Sequence, residues 1–99
     1  MEKNAKVVII GGGVVGCSIL YHLSKFGLKD CILLERNELT SGSSWHAAGN
    51  VHVISSDPNI SRMMAYTIGL YKEIEKESGH STGFKPSGGF YLASNEVWA

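Results

Sequence analysis

The chain is 99 residues long, enough for one domain whose core hides roughly 60–70% of the surface its unfolded chain exposes. Hydrophobic residues make up 43% and charged residues 18%, the balance of an ordinary globular protein. Nine basic residues against nine acidic ones leave no net charge, which argues against a nucleic acid or an acidic membrane surface as partner.

The first element is Val7-Val8-Ile9-Ile10, an apolar, mostly β-branched run that reads as a parallel strand buried on both faces. It is too short for a signal-peptide apolar region or a membrane span, so the expectation is a cytoplasmic protein with no membrane insertion. The strand runs into Gly11-Gly12-Gly13-Val14-Val15-Gly16, a G-x-G-x-x-G motif. In that motif Gly11 allows the tight turn, Gly13 lets a pyrophosphate approach the backbone, and Gly16 lets the next helix pack close. The motif alone is weak. Its place between a strand and a helix is what makes it a dinucleotide site, with helix N–H groups facing the phosphates.

Ile19, Leu20, Leu23 and Phe26 then recur at helical spacing, and Gly27 ends the helix. Cys31-Ile32-Leu33-Leu34 is a second apolar strand, which completes a β-α-β unit with a right-handed crossover. Glu35 closes that strand, nineteen positions after Gly16. A carboxylate there can accept hydrogen bonds from both hydroxyls of an adenine ribose, and it disfavours the 2′-phosphate of NADP. Arg36 reads as a surface side chain near the adenine. Cys17 and Cys31 form no C-x-x-C pair and read as small core residues in a reducing compartment.

Asn37–Gly49 is rich in small and hydroxyl residues and reads first as a loop. Ser41, Ser43 or Ser44 is placed to cap a short helical turn through Trp45-His46-Ala47-Ala48, with Gly49 ending it. Such a second helix N-terminus suits the far side of a flavin dinucleotide, whereas an NAD enzyme does not require it. Val51, Val53 and Ile54 are β-prone. Asp57-Pro58 then starts a long helix in which Ile60, Met63, Met64, Thr67, Leu70, Tyr71 and Ile74 form an apolar stripe read as core, and Gly79 stops it. Phe84–Ala93, with Pro86-Ser87-Gly88-Gly89 as its turn, reads as a β-hairpin. His46 and His52 stand six apart without a Cys or carboxylate at ligand spacing, so no metal is expected. His22 and His80 read as structural or surface residues.

With these stretches in place, the chain resembles FAD-dependent oxidoreductases of the D-amino-acid oxidase/glycine oxidase type, and within them the dimethylglycine dehydrogenase/sarcosine dehydrogenase branch. The residues that carry the likeness are GGGVVGCSILYHL, LLERNELTSGSSWHAAG and GFKPSGGFYLAS. The glycine motif is shared by many unrelated enzymes, whereas LTSGSSWHAAG is specific. The resemblance implies an α/β fold: a Rossmann-like FAD-binding domain, begun as β-α-β, then a long helix and a β-hairpin. Residues 1–99 would be the N-terminal part of that domain in a longer chain, incomplete and by itself inactive.

The same resemblance implies that Gly11, Gly12, Gly13, Val14, Val15 and Gly16 face the pyrophosphate, and Glu35 and Arg36 the adenosine. Gly42, Ser43, Ser44, Trp45, His46, Ala47, Ala48, Gly49 and Asn50 would embrace the flavin, with His46 bonded covalently to its 8α-methyl carbon. Three positions depart from the pattern: Ser44 replaces a common threonine, Asn50 an apolar residue, and Leu20 a smaller one. The implied reaction oxidises an N-methylated amine by hydride transfer to FAD. The resulting iminium would hydrolyse or pass its one-carbon unit to a folate held in a C-terminal part, and an electron acceptor would reoxidise the cofactor. No catalytic base is identifiable among these residues. Two alternatives stand beside this reading: an NAD-binding dehydrogenase, for which the glycines and Glu35 suffice, and a non-catalytic nucleotide-binding module.

Overall fold

The structure, a computed structural model, describes residues 4–94. Two compact units divide the chain, one ending at Gly49 and the other beginning at Asn50.

The first unit is the β-α-β element. Strand β1 (Val7–Ile10) pairs in parallel with β2 (Cys31–Leu34), with Val7 opposite Cys31 and Ile10 opposite Leu34. The ladder extends one step further, because the Gly11 N–H donates to the Leu34 carbonyl at 2.8 Å. Helix α1 (Val14–Lys25) connects the two strands. Gly27 N–H donates to Ser24 O, and Leu28 N–H to Leu23 O, each at 3.0 Å. This pair of bonds is the Schellman arrangement, which satisfies the carbonyls left open at the end of a helix. It lets the chain turn within five residues from α1 into β2.

The strands differ from the expectation in one respect. Ile9 is buried at 7% exposure, whereas Val8 and Ile10 on the opposite face are 51% and 87% exposed. Alternate residues of a strand point to opposite faces, and this unit supplies one helix for one face. A parallel sheet buries both faces only when a second layer is present. Both cysteines, Cys17 and Cys31, are free thiols and half-buried.

The second unit is built on α2 (Pro58–Ser78). Asp57 caps it, accepting from Asn59 N–H at 2.7 Å and Ile60 N–H at 3.3 Å, with Pro58 at the first helical position. Gly79 ends it in the left-handed conformation. Beyond it, Thr82 folds back, its N–H and hydroxyl donating to Glu75 Oε1 at 2.9 and 2.6 Å. The Tyr71 and Phe84 rings lie 5.9 Å apart between centroids. The apolar stripe on α2 is real but only half-buried at Met64, Leu70, Tyr71 and Ile74, and Ile60 and Met63 are exposed, contrary to the core reading.

Two expected β-elements are corrected. Residues 50–54 form no strand, and no hairpin ladder joins residues 84–93. Pro86 does sit in a tight turn, with Ser87 N–H donating to Lys85 O at 2.8 Å, but its arms stay unpaired. Phe90 and Leu92 are almost fully exposed. A two-stranded hairpin is marginal without a third strand or a helix beneath it, so β-prone residues alone do not close the ladder. Among the described residues no helix is long and apolar enough to cross a membrane.

Candidate functional site

The site is assembled in the first unit, where the glycine loop meets the chain that follows β2. Gly11 has φ +107°, a conformation that L side chains rarely adopt, and it turns the chain out of β1. Gly16 is buried in the first turn of α1, and a Cβ there would overlap the Gly11 carbonyl oxygen. Two of the three roles expected of the glycines are therefore present in the backbone: the turn at Gly11 and the close approach of helix to strand at Gly16.

Gly12 and Gly13 show what surrounds the loop. Gly12 is buried, and a Cβ on it would lie 2.6 Å from Leu39 Cδ2 and 3.1 Å from Glu35 Cβ and Cγ. Its N–H donates to Glu35 Oε1 at 3.1 Å, while Asn37 N–H donates to Oε2 at 2.7 Å. These bonds, from Asn37 first and then Gly12, stabilise the charged carboxylate and hold its pKa below the ordinary value, with a smaller contribution from the Arg36 charge. Each carboxylate oxygen accepts one bond and keeps further lone-pair capacity, so Glu35 can serve ribose hydroxyls from where it stands. Arg36 is exposed beside it.

The chain from Leu39 to His46 folds onto this loop. Thr40 N–H donates to Gly12 O at 2.8 Å, with Thr40 itself at φ 64°. Successive i→i+3 bonds follow, Trp45 N–H to Gly42 O and His46 N–H to Ser43 O, each at 3.1 Å. With Ala47 N–H to Ser44 O at 3.5 Å as a third, longer member, the segment is a run of 3₁₀-type turns and not a regular α-helical turn. No serine caps it as a helix. Instead the Ser44 hydroxyl reaches across to α1 and accepts the Val14 N–H at 2.8 Å. The N-cap of α1 is Gly13, which has no side chain to do this. One serine of the stretch therefore stands at the N-terminus of α1. Among the described residues the Val15 N–H has no partner and is open to an anion.

His46 is exposed, and its Nδ1 lies 2.9 Å from the Gly42 carbonyl. A carbonyl only accepts, so Nδ1 carries the proton and, in the neutral ring, Nε2 carries the free lone pair. Trp45 and Gly42–Gly49 are exposed apart from the half-buried Ser44; Asn50, also exposed, opens the second unit. Leu39, Asn37 and Thr40 are the contributors that residue type did not single out. The only signal was Leu39, an apolar residue in an otherwise polar loop. Among the described residues no group of three potential ligands stands together to hold a metal ion.

A tight turn at Gly11, a helix seated against it at Gly16, an open amide at Val15 and a hydrogen-bonded carboxylate at Glu35 fit an adenine dinucleotide. The comparisons with known proteins say which one. The model of the family described as FAD dependent oxidoreductase (DAO) matches residues 6–99, and the chain belongs to that family. It is 46% identical over 96 residues to human dimethylglycine dehydrogenase and 42% identical over 96 residues to human sarcosine dehydrogenase, both named as mitochondrial. These alignments cover 97% and 96% of the chain. It is also 39% identical over 97% of its length to the mouse pyruvate dehydrogenase phosphatase regulatory subunit. The chain spans about a tenth of these relatives, 11%, 10% and 11% in turn. FAD, not NAD, is therefore the cofactor of the family, and the nicotinamide alternative is set aside.

Proposed function

We propose that the chain is the dinucleotide-binding part of an amine dehydrogenase that oxidises an N-methylated glycine, dimethylglycine or sarcosine, with FAD attached covalently to His46. The observation that carries the reading is that the turn bearing His46 is bonded to the same loop that would hold the pyrophosphate, through Thr40 and Ser44. Ring orientation adds support, since the Gly42 carbonyl takes Nδ1 and leaves Nε2 as the nucleophilic nitrogen.

Bound FAD supplies the two-electron acceptor for breaking a C–H bond next to nitrogen. The residues of this chain do the holding. Glu35 takes the ribose, Gly11 and Gly16 bring the first turn of α1 to the pyrophosphate, and Val15 N–H faces the charge. His46 is a tether and no proton donor. It prevents cofactor loss, and as an electron-withdrawing substituent it makes the flavin more oxidising. A folate in a C-terminal part and a separate electron acceptor complete the proposed set of partners, and a cytoplasmic location is retained as part of the proposal.

A second reading is favoured by the likeness to a subunit named as regulatory: a module that binds FAD without amine oxidation. Anaerobic addition of dimethylglycine or sarcosine to the full-length protein separates the two. Bleaching of the flavin absorbance by either amine supports the dehydrogenase. A bound flavin that neither amine reduces contradicts it and favours the module.

A further inference from the structure

We propose that Ser44 is a positioning residue for His46, acting by anchoring the His46 turn to the first N–H of α1 so that Nε2 is held at bonding distance from the flavin 8α carbon. The inference rests on the covalent reading above.

Four observations meet at Ser44. Its hydroxyl accepts Val14 N–H at 2.8 Å, thirty residues away in sequence. It is the one half-buried residue in the otherwise exposed stretch 41–50. A Cβ on Gly13 would come within 3.1 Å of its Oγ, so the bare Gly13 leaves room for this hydroxyl as well as for a phosphate. Finally, the turn links Ser44 to His46 with little slack. The Gly42 carbonyl accepts both Trp45 N–H at 3.1 Å and the His46 Nδ1–H at 2.9 Å, so backbone and ring are oriented by one group. The rigid element is α1, and Ser44 is where the turn is fastened to it. Thr40 provides the other fastening, through backbone alone.

Attachment joins Nε2 to the 8α carbon. One proton leaves the methyl group and one leaves the imidazole, both to solvent. Two electrons remain in the isoalloxazine ring and pass, with two protons, to dioxygen, giving hydrogen peroxide and the oxidised, attached cofactor. Such a step needs its reacting atoms in a near-attack geometry, and a displacement of about 1 Å costs up to 100-fold in rate.

The test uses full-length apoprotein made under riboflavin limitation and mixed with increasing FAD. Acid-stable flavin is followed with time, giving a rate at saturating FAD and a half-saturating concentration. Ser44→Ala is expected to lower the saturating rate about tenfold or more, and Ser44→Thr to restore it. Gly13→Ala, which keeps the hydroxyl but crowds it, is expected to lower the saturating rate too. It decides by the same criterion if Ser44→Ala does not accumulate as folded protein. A Ser44→Ala protein with the wild-type saturating rate and only a raised half-saturating concentration overturns the proposal, because Ser44 would then be a phosphate ligand and nothing more. Wild-type protein that forms no acid-stable flavin overturns the covalent reading itself.

Discussion

Gly12 is the variable position of the glycine motif, yet the structure places it among the least tolerant. A Cβ there would lie 2.6 Å from Leu39 Cδ2 and 3.1 Å from Glu35 Cβ and Cγ. Carbon atoms rest at about 3.5–4.0 Å, so the shortfall is about 1 Å against Leu39 and about 0.5 Å against Glu35. Leu39 is 60% exposed, and its tip can swing away at little cost. Glu35 cannot, because its Cβ is fixed to the end of β2. Its carboxylate already accepts Gly12 N–H at 3.1 Å, near the outer limit of a good N–H···O bond. Gly12→Ala should therefore break that bond and move the carboxylate off the ribose. Crowding of this kind costs about 1–3 kcal/mol. If about 1–2 kcal/mol of it appears in cofactor binding, FAD binds about 5- to 30-fold more weakly. The assay is a fluorescence titration of full-length apoprotein carrying His46→Ala, so that binding is reversible, with FMN as a ligand that lacks the adenosine. Weaker FAD binding with FMN binding unchanged is the expected result. Unchanged FAD affinity would refute the close packing of Gly12 on Glu35.

Other consequences follow from single contacts. Glu35 has a lowered pKa in the folded chain, so the stability it adds is complete above its unfolded value of about 4.5 and is lost as pH falls through the lower folded value; Glu35→Gln should flatten that acid-side loss in a series of melting curves, and an unchanged slope would count against the two amide bonds. Asp57→Ala removes the acceptor for two amides and should cost α2 about 1 kcal/mol, read as roughly fivefold faster hydrogen exchange at Asn59 and Ile60. Thr82→Val should raise the Glu75 pKa towards its ordinary value, since the Thr82 hydroxyl is the main group lowering it; an NMR titration that shows no change would mean that bond is absent in solution.

Local rules made the first unit legible. A β-branched run, glycines at motif spacing and a charged residue at a strand end each act through the backbone nearby, and β1, α1, β2 and Glu35 appear where those signals fall. The caps of α2 were legible for the same reason: Asp57, Pro58 and Gly79 need only their own neighbours. What was not legible depends on partners distant in sequence. Ser44 read as one of three candidate caps for its own turn, but its hydroxyl finds Val14 instead. Leu39 gave no motif at all and became the wall against Gly12. Val51, Val53, Ile54 and Phe84–Ala93 have the composition of strands, but a strand is completed by a neighbour, and among the described residues no strand pairs with these segments. The α2 stripe has the right period, yet periodicity says which side faces inward and not whether a second layer covers it.

The most direct measurement is the mass of the proteolytic peptide that carries Trp45-His46-Ala47 from full-length protein, taken after acid denaturation. The expected result is a flavin adduct on that peptide, located at His46 by fragmentation and absent in His46→Ala. An unmodified peptide, with all flavin released into the acid supernatant, would contradict the covalent role of His46.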